Sequence, residues 1–135
     1  MSGQSAGSYI AAIPGTSGSG KTTLVNAVTQ SLGEAVSLHF DDYATVSSYP
    51  TDMRAWIDAG ADPAEWRTPK LGDDLRAMKS GKPIKAPNGA RMDAAPYVVL
   101  EEPFGRARPE VADLLDFVAF VAVPLEIALA RRLLR

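Results

Sequence analysis

An eight-residue segment near the start of the chain constrains the fold more than any other feature of the sequence. Gly15 to Thr22 reads G-T-S-G-S-G-K-T and matches the pattern G-x-x-x-x-G-K-[ST] at every fixed position. Its glycines let the backbone bend so that successive N–H groups point inward, and the N-terminus of a following helix adds positive potential. We therefore predict a tight phosphate-binding loop between a strand and a helix.

The residues on both sides of this loop supply the strand and the helix. Tyr9 to Ile13 is a short apolar run that ends at a proline, which is typical of a buried strand closed by a turn. Apolar residues recur at helical spacing from Lys21 to Leu32, and Gly33 follows as a C-terminal cap. Ala35 to Phe40 alternates as a second strand that leads into Asp41-Asp42. These segments predict one β-α-β unit.

The rest of the chain alternates between helical and extended patterns. Helices are predicted from Thr51 or Asp52 to Ala59, at Asp62 to Glu65, and over Pro69 to Ser80, Arg108 to Leu115 and Pro124 to Arg135. Strands are predicted at Tyr97 to Leu100 and Phe117 to Val123, with a loop or small hairpin at Lys82 to Asp93. Continuously apolar strands that alternate with helices indicate a parallel sheet covered on both faces. We interpret residues 1–135 as a single α/β domain.

Composition excludes several classes of protein. The chain has 14 Lys plus Arg against 16 Asp plus Glu, which is not the cationic excess that nucleic-acid binding needs. It has no cysteine, so disulfides, thiolate metal sites and cysteine nucleophiles are excluded. Its longest apolar run, Phe117 to Leu125, is too short to span a bilayer. The sequence therefore predicts a cytoplasmic protein without nucleic-acid or membrane partners.

The chemistry of the loop assigns roles to its residues. The Lys21 ammonium would reach the β and γ phosphates of a nucleotide, and the Thr22 hydroxyl would ligate Mg²⁺. A flexible Gly/Ser linker is the alternative interpretation, but the flanking strand and helix favour the nucleotide site. The predicted nucleotide-binding residues are Gly15, Thr16, Ser17, Gly18, Ser19, Gly20, Lys21, Thr22 and Thr23.

Two acidic pairs, Asp41-Asp42 and Glu101-Glu102, follow predicted strands. In a parallel sheet, the carboxyl ends of the strands share one rim, which also carries the phosphate loop. Phosphoryl transfer uses one carboxylate to orient or deprotonate the attacking hydroxyl and another to organise Mg²⁺. We assign Asp41 to the acceptor hydroxyl and Glu101 to the metal. Asp42 is the alternative to Asp41, and solvated loop acids are the alternative for both pairs.

Several cationic and aromatic side chains are further candidates. Arg106 and Arg108 follow the third predicted strand of the sheet closely enough to bind a substrate. Arg131 and Arg135 share a face of the last helix, where they would reach anionic oxygens or simply complement the helix dipole.

Aromatic rings offer stacking surfaces for a ring-shaped substrate. Tyr43, Tyr49 and Trp66 are candidates for such stacking, whereas packing explains Trp56 better. The single histidine, His39, is interpreted as a packed or rim residue rather than a metal ligand or base.

Together these segments resemble the P-loop kinases of small molecules, which include uridine kinase, nicotinamide riboside kinase, pantothenate kinase and phosphoribulokinase. Beyond the loop, the resemblance covers Phe40 to Tyr43, Asp74 to Pro87, Val98 to Glu101 and Arg131 to Arg135. It implies transfer of the ATP γ-phosphate, with Mg²⁺, to a hydroxyl of a small metabolite such as a nucleoside. The resemblance also implies that Asp41 is the catalytic aspartate, that Lys21 is catalytic, and that Arg132 and Arg135 begin an arginine-rich lid.

The chain departs from that family in ways that leave the acceptor open. Glu102 to Arg106 reads E-P-F-G-R where uridine kinases usually have glycine after the glutamate, and Asn88 to Ala95 lacks the usual continuation. The resemblance implies a three-layer P-loop NTPase fold with strand order 2-3-1-4. Because the chain stops at Arg135, a fifth strand and complete lid are expected to be missing.

Two consequences of such an incomplete chain are expected. An open edge at Phe117 to Val123 would template pairing with a second copy, which predicts a homodimer. A short lid would also leave a non-catalytic nucleotide-binding module, or a hydrolytic switch, as alternatives to the kinase.

Overall fold

A computed structural model describes residues 7–15, 20–120, 130, 133 and 134. The strands are β1 (Tyr9–Ile13), β2 (Ala35–His39), β3 (Ile84–Lys85), β4 (Arg91–Met92), β5 (Tyr97–Glu101) and β6 (Phe117–Val118). The α-helices are α1 (Lys21–Leu32), α2 (Met53–Asp58), α3 (Pro69–Lys79) and α4 (Pro109–Ala112). Short 3-10 helices cover Phe40–Val46, Pro63–Glu65 and Gly105–Ala107.

The main sheet has four parallel strands in the order β2-β5-β1-β6, and β3 pairs with β4 as a separate antiparallel hairpin. The predicted α/β fold with a parallel sheet is confirmed. The strand order differs from the expected 2-3-1-4 because the hairpin adds two strands to the count. If only the strands of the main sheet are counted, β5 is the third and β6 is the fourth, and the order is then 2-3-1-4.

Apolar layers cover both faces of this sheet. On one face, Val25 of α1 packs against Ile13 and Val99. On the other face, the buried side chains Leu71, Leu75 and Met78 of α3 belong to the larger core. Fully burying side chains of this size stabilises a fold by about 1.5–3 kcal/mol each. The two layers hold the strands rigidly, so the residues at the strand ends have defined positions.

The element boundaries confirm most of the predicted helices and strands. β1 and α1 cover the predicted residues, and Gly33 follows α1 with a positive φ of 76°. Asp52 caps α2 by accepting a hydrogen bond from the Ala55 N–H. The segment Lys82 to Asp93 contains the small hairpin that was one of its two predicted forms.

The predicted helix over Arg108 to Leu115 is wrong in length, since α4 ends at Ala112. The following residues form tighter turns, in which the Leu114 N–H donates to the Val111 carbonyl. This early end lets the Asp116 carboxylate accept a hydrogen bond from the Ile10 N–H of β1. A tertiary contact has therefore overridden the local helical preference.

Some predictions fall on residues 121–129, 131, 132 and 135, outside the described residues. They include the end of the strand predicted to reach Val123 and most of the helix predicted from Pro124 to Arg135. In the described parts of the chain, no helix combines the length and apolar character needed to cross a membrane.

Candidate functional site

Three strands of the sheet end at the same level and form one rim. Ile13 of β1 and His39 of β2 both lie opposite Glu101, the last residue of β5. β1 leads into the phosphate-loop segment, and β2 leads into the 3-10 helix that carries Asp41 and Asp42. The predicted acidic segments and the loop are therefore all attached to this rim.

The Thr22 hydroxyl and the Glu101 carboxylate meet at this rim, although they are far apart in sequence. Thr22 is in the first turn of α1, and its Oγ1 lies 2.9 Å from Oε1 and 3.0 Å from Oε2 of Glu101. The hydroxyl donates its single proton to the carboxylate. Glu101 is buried, with 8% of its surface exposed, so its hydrogen-bond partners determine where its oxygens point.

His39 holds the same carboxylate from its other side. Its Nδ1 lies 2.8 Å from Glu101 Oε2, and its Nε2 lies 3.2 Å from Ser37 Oγ. Ser37 and His39 share a face of β2 because side chains alternate along a strand. Hydroxyl and imidazole groups therefore surround the Glu101 carboxylate.

Lys21 lies at the end of the loop that the motif predicts. Its Nζ donates a hydrogen bond of 3.0 Å to the Gly15 carbonyl, so the side chain reaches back across the loop. Gly20, just before α1, has a φ of 91°, a left-handed conformation that favours glycine. Thr23 is exposed, and Thr16 to Ser19 lie outside the described residues.

The donor set at the rim suits magnesium. Mg²⁺ prefers oxygen ligands, keeps several waters, and is usually held by one or two protein oxygens together with substrate phosphates. Thr22 and Glu101 supply a hydroxyl and a carboxylate in direct contact. Across the described residues, no group of three or more His, Cys, Asp or Glu side chains could hold a metal ion. Thr22 and Glu101 could therefore hold Mg²⁺ as two of its oxygen ligands.

Known proteins with similar sequences include two kinases. Two uridine kinases, from two strains of Staphylococcus epidermidis, are 26% identical to this chain over 139 residues, covering 93% of the chain and 67% of each kinase. The chain resembles the P-loop kinases. No family model matches the sequence.

Two solved structures share the fold of this chain. One, from Silicibacter sp. TM1040, is described as a fructose transport system kinase and matches with a TM-score of 0.63 at 17% identity, over 99% of this chain and 76% of that one. Another, described as a possible uridine kinase from Bacillus stearothermophilus, matches with a TM-score of 0.62 at 23% identity, over 95% and 78% of the two chains.

Asp41 and Asp42, the candidate P-loop kinase carboxylates after β2, are both exposed in the first turn of the 3-10 helix. Their neighbour Tyr43 is only 1% exposed, and its hydroxyl donates a 2.8 Å hydrogen bond to Asp74 Oδ2. Burial, followed by the interaction with Asp74, raises the pKa of Tyr43 well above its ordinary value. Tyr43 is therefore part of the protein interior, and its role in binding the acceptor stays a prediction.

Glu102 points away from this rim, because it follows Glu101 directly and side chains alternate. Its carboxylate is fully buried and accepts a 2.8 Å hydrogen bond from Nε of the equally buried Arg108. The Phe104 and Gly105 N–H groups donate to its other oxygen. Burial raises the pKa of Glu102, and Arg108 and the two N–H groups oppose that rise.

Arg108, considered above as a substrate ligand, is therefore part of the interior. Its Nη1 donates to the Trp66 carbonyl at 2.9 Å and to Thr68 Oγ1 at 2.7 Å. Its guanidinium carbon also lies 5.1 Å from the centre of the Phe40 ring. Sequence reasoning missed this pairing, for which the only available signal was the alternation of Glu101 and Glu102.

An aromatic cluster lies beside this ion pair. Trp66 is its centre and contacts the rings of Phe40, Tyr49, Trp56 and Phe104. A cleft of about 370 Å³ opens next to the cluster; its lining consists of Ala64, Trp66, Arg67, Arg108, Pro109 and Glu110.

Of the remaining predicted arginines, Arg106 lies in the described part of the chain and the others do not. Arg106 is exposed and donates a 2.9 Å hydrogen bond from Nη2 to the Leu115 carbonyl. Arg132 and Arg135, predicted as catalytic lid residues, lie outside the described residues together with Arg131.

Proposed function

We propose that this chain is an ATP-dependent phosphotransferase that transfers the γ-phosphate to a hydroxyl group of a small metabolite. The contact between Thr22 and Glu101 carries the proposal. It joins the hydroxyl that the phosphate-loop motif assigns to Mg²⁺ with a carboxylate from a different strand, as phosphoryl transfer requires.

The residues of the rim would divide the work. Lys21 would leave the Gly15 carbonyl to neutralise the β and γ phosphates, while backbone N–H groups of the loop would bind phosphate oxygens. Thr22 and Glu101 would hold Mg²⁺, which when bound neutralises charge that develops on the phosphate. Asp41 would orient the acceptor hydroxyl and accept its proton. The exposed position of Asp41 leaves it accessible to such an acceptor.

The acceptor class is inferred from the names of the relatives and from the aromatic cluster of Trp66, whose Phe40 directly precedes Asp41. Uridine and fructose, which appear in the names of the similar proteins, both carry hydroxyl groups. The Trp66 cluster and the adjoining cleft supply aromatic faces and the cationic side chain of Arg67. A hydroxyl-bearing metabolite with a ring suits such a surface.

The proposal is tested by measuring ADP release from Mg²⁺-ATP with a panel of nucleosides, pantothenate-like alcohols and sugars. At least one acceptor should raise ADP release above the rate without acceptor. The Lys21→Ala variant should then lower the rate at least about a hundredfold, since it removes charge stabilisation of the transferring phosphate. Lys82→Ala, which changes an exposed lysine outside the rim, is the matched control and should retain the wild-type rate.

Three results would contradict the proposal, each in a different way. Nucleotide binding without acceptor-dependent ADP release would identify a binding module. ADP release that no acceptor changes would identify a hydrolase. Equal rates for Lys21→Ala and the wild type would remove the phosphate loop from the reaction.

A further inference from the structure

Among the described residues, the imidazole of His39 makes a hydrogen bond with the Glu101 carboxylate that the proposed reaction has not used. His39 and Glu101 are register partners on adjacent parallel strands, so their side chains leave the sheet on the same face. The backbone pairing of β2 with β5 therefore holds the ring beside the carboxylate.

The chemistry of the two groups determines where the protons lie. The Nδ1 atom lies 2.8 Å from Oε2, and a carboxylate that binds a metal accepts hydrogen bonds, so we assign Nδ1 as the donor. In the neutral ring Nε2 is then an acceptor, and the Ser37 hydroxyl can donate to it across 3.2 Å. Ser37, His39 and Glu101 thus form a directed series of hydrogen bonds that ends at the rim.

We propose that His39 is a positioning residue that orients the Glu101 carboxylate toward Thr22 and toward the metal of the bound nucleotide, an inference that rests on the proposed function. With Oε2 held by Nδ1–H, both oxygens of the carboxylate lie within hydrogen-bond distance of the Thr22 hydroxyl, Oε1 at 2.9 Å and Oε2 at 3.0 Å. Hydrogen bonds from outer residues commonly orient metal-binding carboxylates, and losing such a partner typically costs about 10- to 100-fold in metal affinity or activity.

Packing alone does not account for a histidine at this position. The His39 side chain is 26% exposed at the end of its strand, and both ring nitrogens have polar partners. An apolar side chain would fill the same space without satisfying the buried carboxylate. The His39 ring also gives this buried carboxylate a second hydrogen-bond donor beside the single proton of Thr22.

The first test reads the proton position directly. His39 is the only histidine in the chain, so a ¹⁵N NMR spectrum of the imidazole contains a single pair of ring signals. The wild-type spectrum should show a protonated Nδ1. In Glu101→Ala the proton should move toward Nε2, because the acceptor at Nδ1 is lost. An unprotonated Nδ1 in the wild type would overturn the inference.

The second test measures the Mg²⁺ requirement for binding a fluorescent ATP analogue. His39→Leu removes the donor and should raise the half-maximal Mg²⁺ concentration at least about tenfold, with metal-free nucleotide affinity unchanged. His39→Asn keeps an N–H donor near the position of Nδ1 and should restore most of the wild-type requirement. Urea unfolding of each variant would establish that it is folded.

The outcomes separate this inference from the proposed function. If the wild type binds no nucleotide with or without Mg²⁺, the proposed function fails and the inference fails with it. If the wild type and His39→Leu show the same Mg²⁺ requirement, only the role of His39 is overturned. If His39→Asn is impaired as strongly as His39→Leu, hydrogen-bond donation by residue 39 is not the reason for the defect, and the positioning role is also overturned.

Discussion

Arg108 and Glu102 form an ion pair from which solvent is completely excluded, with Nη2 2.6 Å from Oε1 and both side chains 0% exposed. The pair lies at the two ends of the segment Glu102 to Arg108. Because Arg108 also donates to the Trp66 carbonyl and to Thr68, it joins the end of β5 to the region before α3. This segment therefore has a structural function in the chain.

Glu102→Ala should destabilise the fold strongly. Removing Glu102 leaves the buried Arg108 charge with the more distant Glu110 carboxylate, 3.8 Å from Nη1, and breaking a buried ion pair costs about 3–5 kcal/mol in free energy of unfolding. Urea unfolding of the variant measures this loss. Glu65→Ala, at an exposed glutamate, is the control and should change stability by about 0.5 kcal/mol or less. A loss below about 1 kcal/mol for Glu102→Ala would contradict a buried, ionised pair.

Replacing both members of the pair should cost less than replacing one. In Glu102→Met/Arg108→Met no charge remains buried, so part of the stability lost in Glu102→Ala should return. The same unfolding measurement compares the variants. A double variant that is less stable than Glu102→Ala would show that the other hydrogen bonds of Arg108 outweigh the charge effect.

Tyr43→Phe should lower the free energy of unfolding by about 1–2 kcal/mol at neutral pH, because it removes the buried hydrogen bond to Asp74. The raised pKa of Tyr43 adds a pH dependence: its contribution is complete below the ordinary value of 10.0 and is lost as pH rises beyond it. Between pH 7 and a pH above 10, the free energy of unfolding should therefore fall less for Tyr43→Phe than for the wild type. Urea unfolding at the two pH values measures this difference. Tyr49→Phe, at an exposed ring, should behave like the wild type.

Asp116→Asn should reduce stability at neutral pH but much less at low pH. Burial acts to raise the pKa of Asp116, but the hydrogen bonds from Lys79 and from the Ile10 N–H outweigh it and lower the pKa below its ordinary value of 3.8. The contribution is therefore present above that value and lost as pH falls through the lowered pKa. At this partly exposed site we expect about 1 kcal/mol at pH 7.

The Asp116 prediction is checked by urea unfolding across pH 3 to 7. The difference between the wild type and Asp116→Asn should shrink toward acidic pH. Asp113→Asn changes an exposed aspartate nearby and should leave the pH dependence unaltered. A difference that stays constant with pH would assign the stabilisation to shape rather than charge.

Much of the fold is predictable from the sequence because the phosphate-loop motif requires a strand before it and a helix after it. β1 and α1 match the predicted residues for that reason. Contacts between distant segments are harder to predict from the sequence, because they depend on strand register and on the hydrogen-bond partners that each buried polar group needs. The pairing of His39 with Glu101, the burial of Arg108 and the early end of α4 at Ala112 all belong to this second kind.

Variants of Asp41 and Asp42, the two carboxylates after β2, separate an effect on turnover from an effect on nucleotide binding. Asp41→Asn should lower acceptor-dependent ADP release by about 10²- to 10⁴-fold, the range expected for a lost general base, while Mg²⁺-ATP affinity stays unchanged. Asp42→Asn is the matched control, since it makes the same change at the adjacent exposed position. Turnover and nucleotide binding are measured on both variants. If only Asp42→Asn slows turnover, Asp42 accepts the proton instead; if neither variant does, no carboxylate of this pair acts as the base.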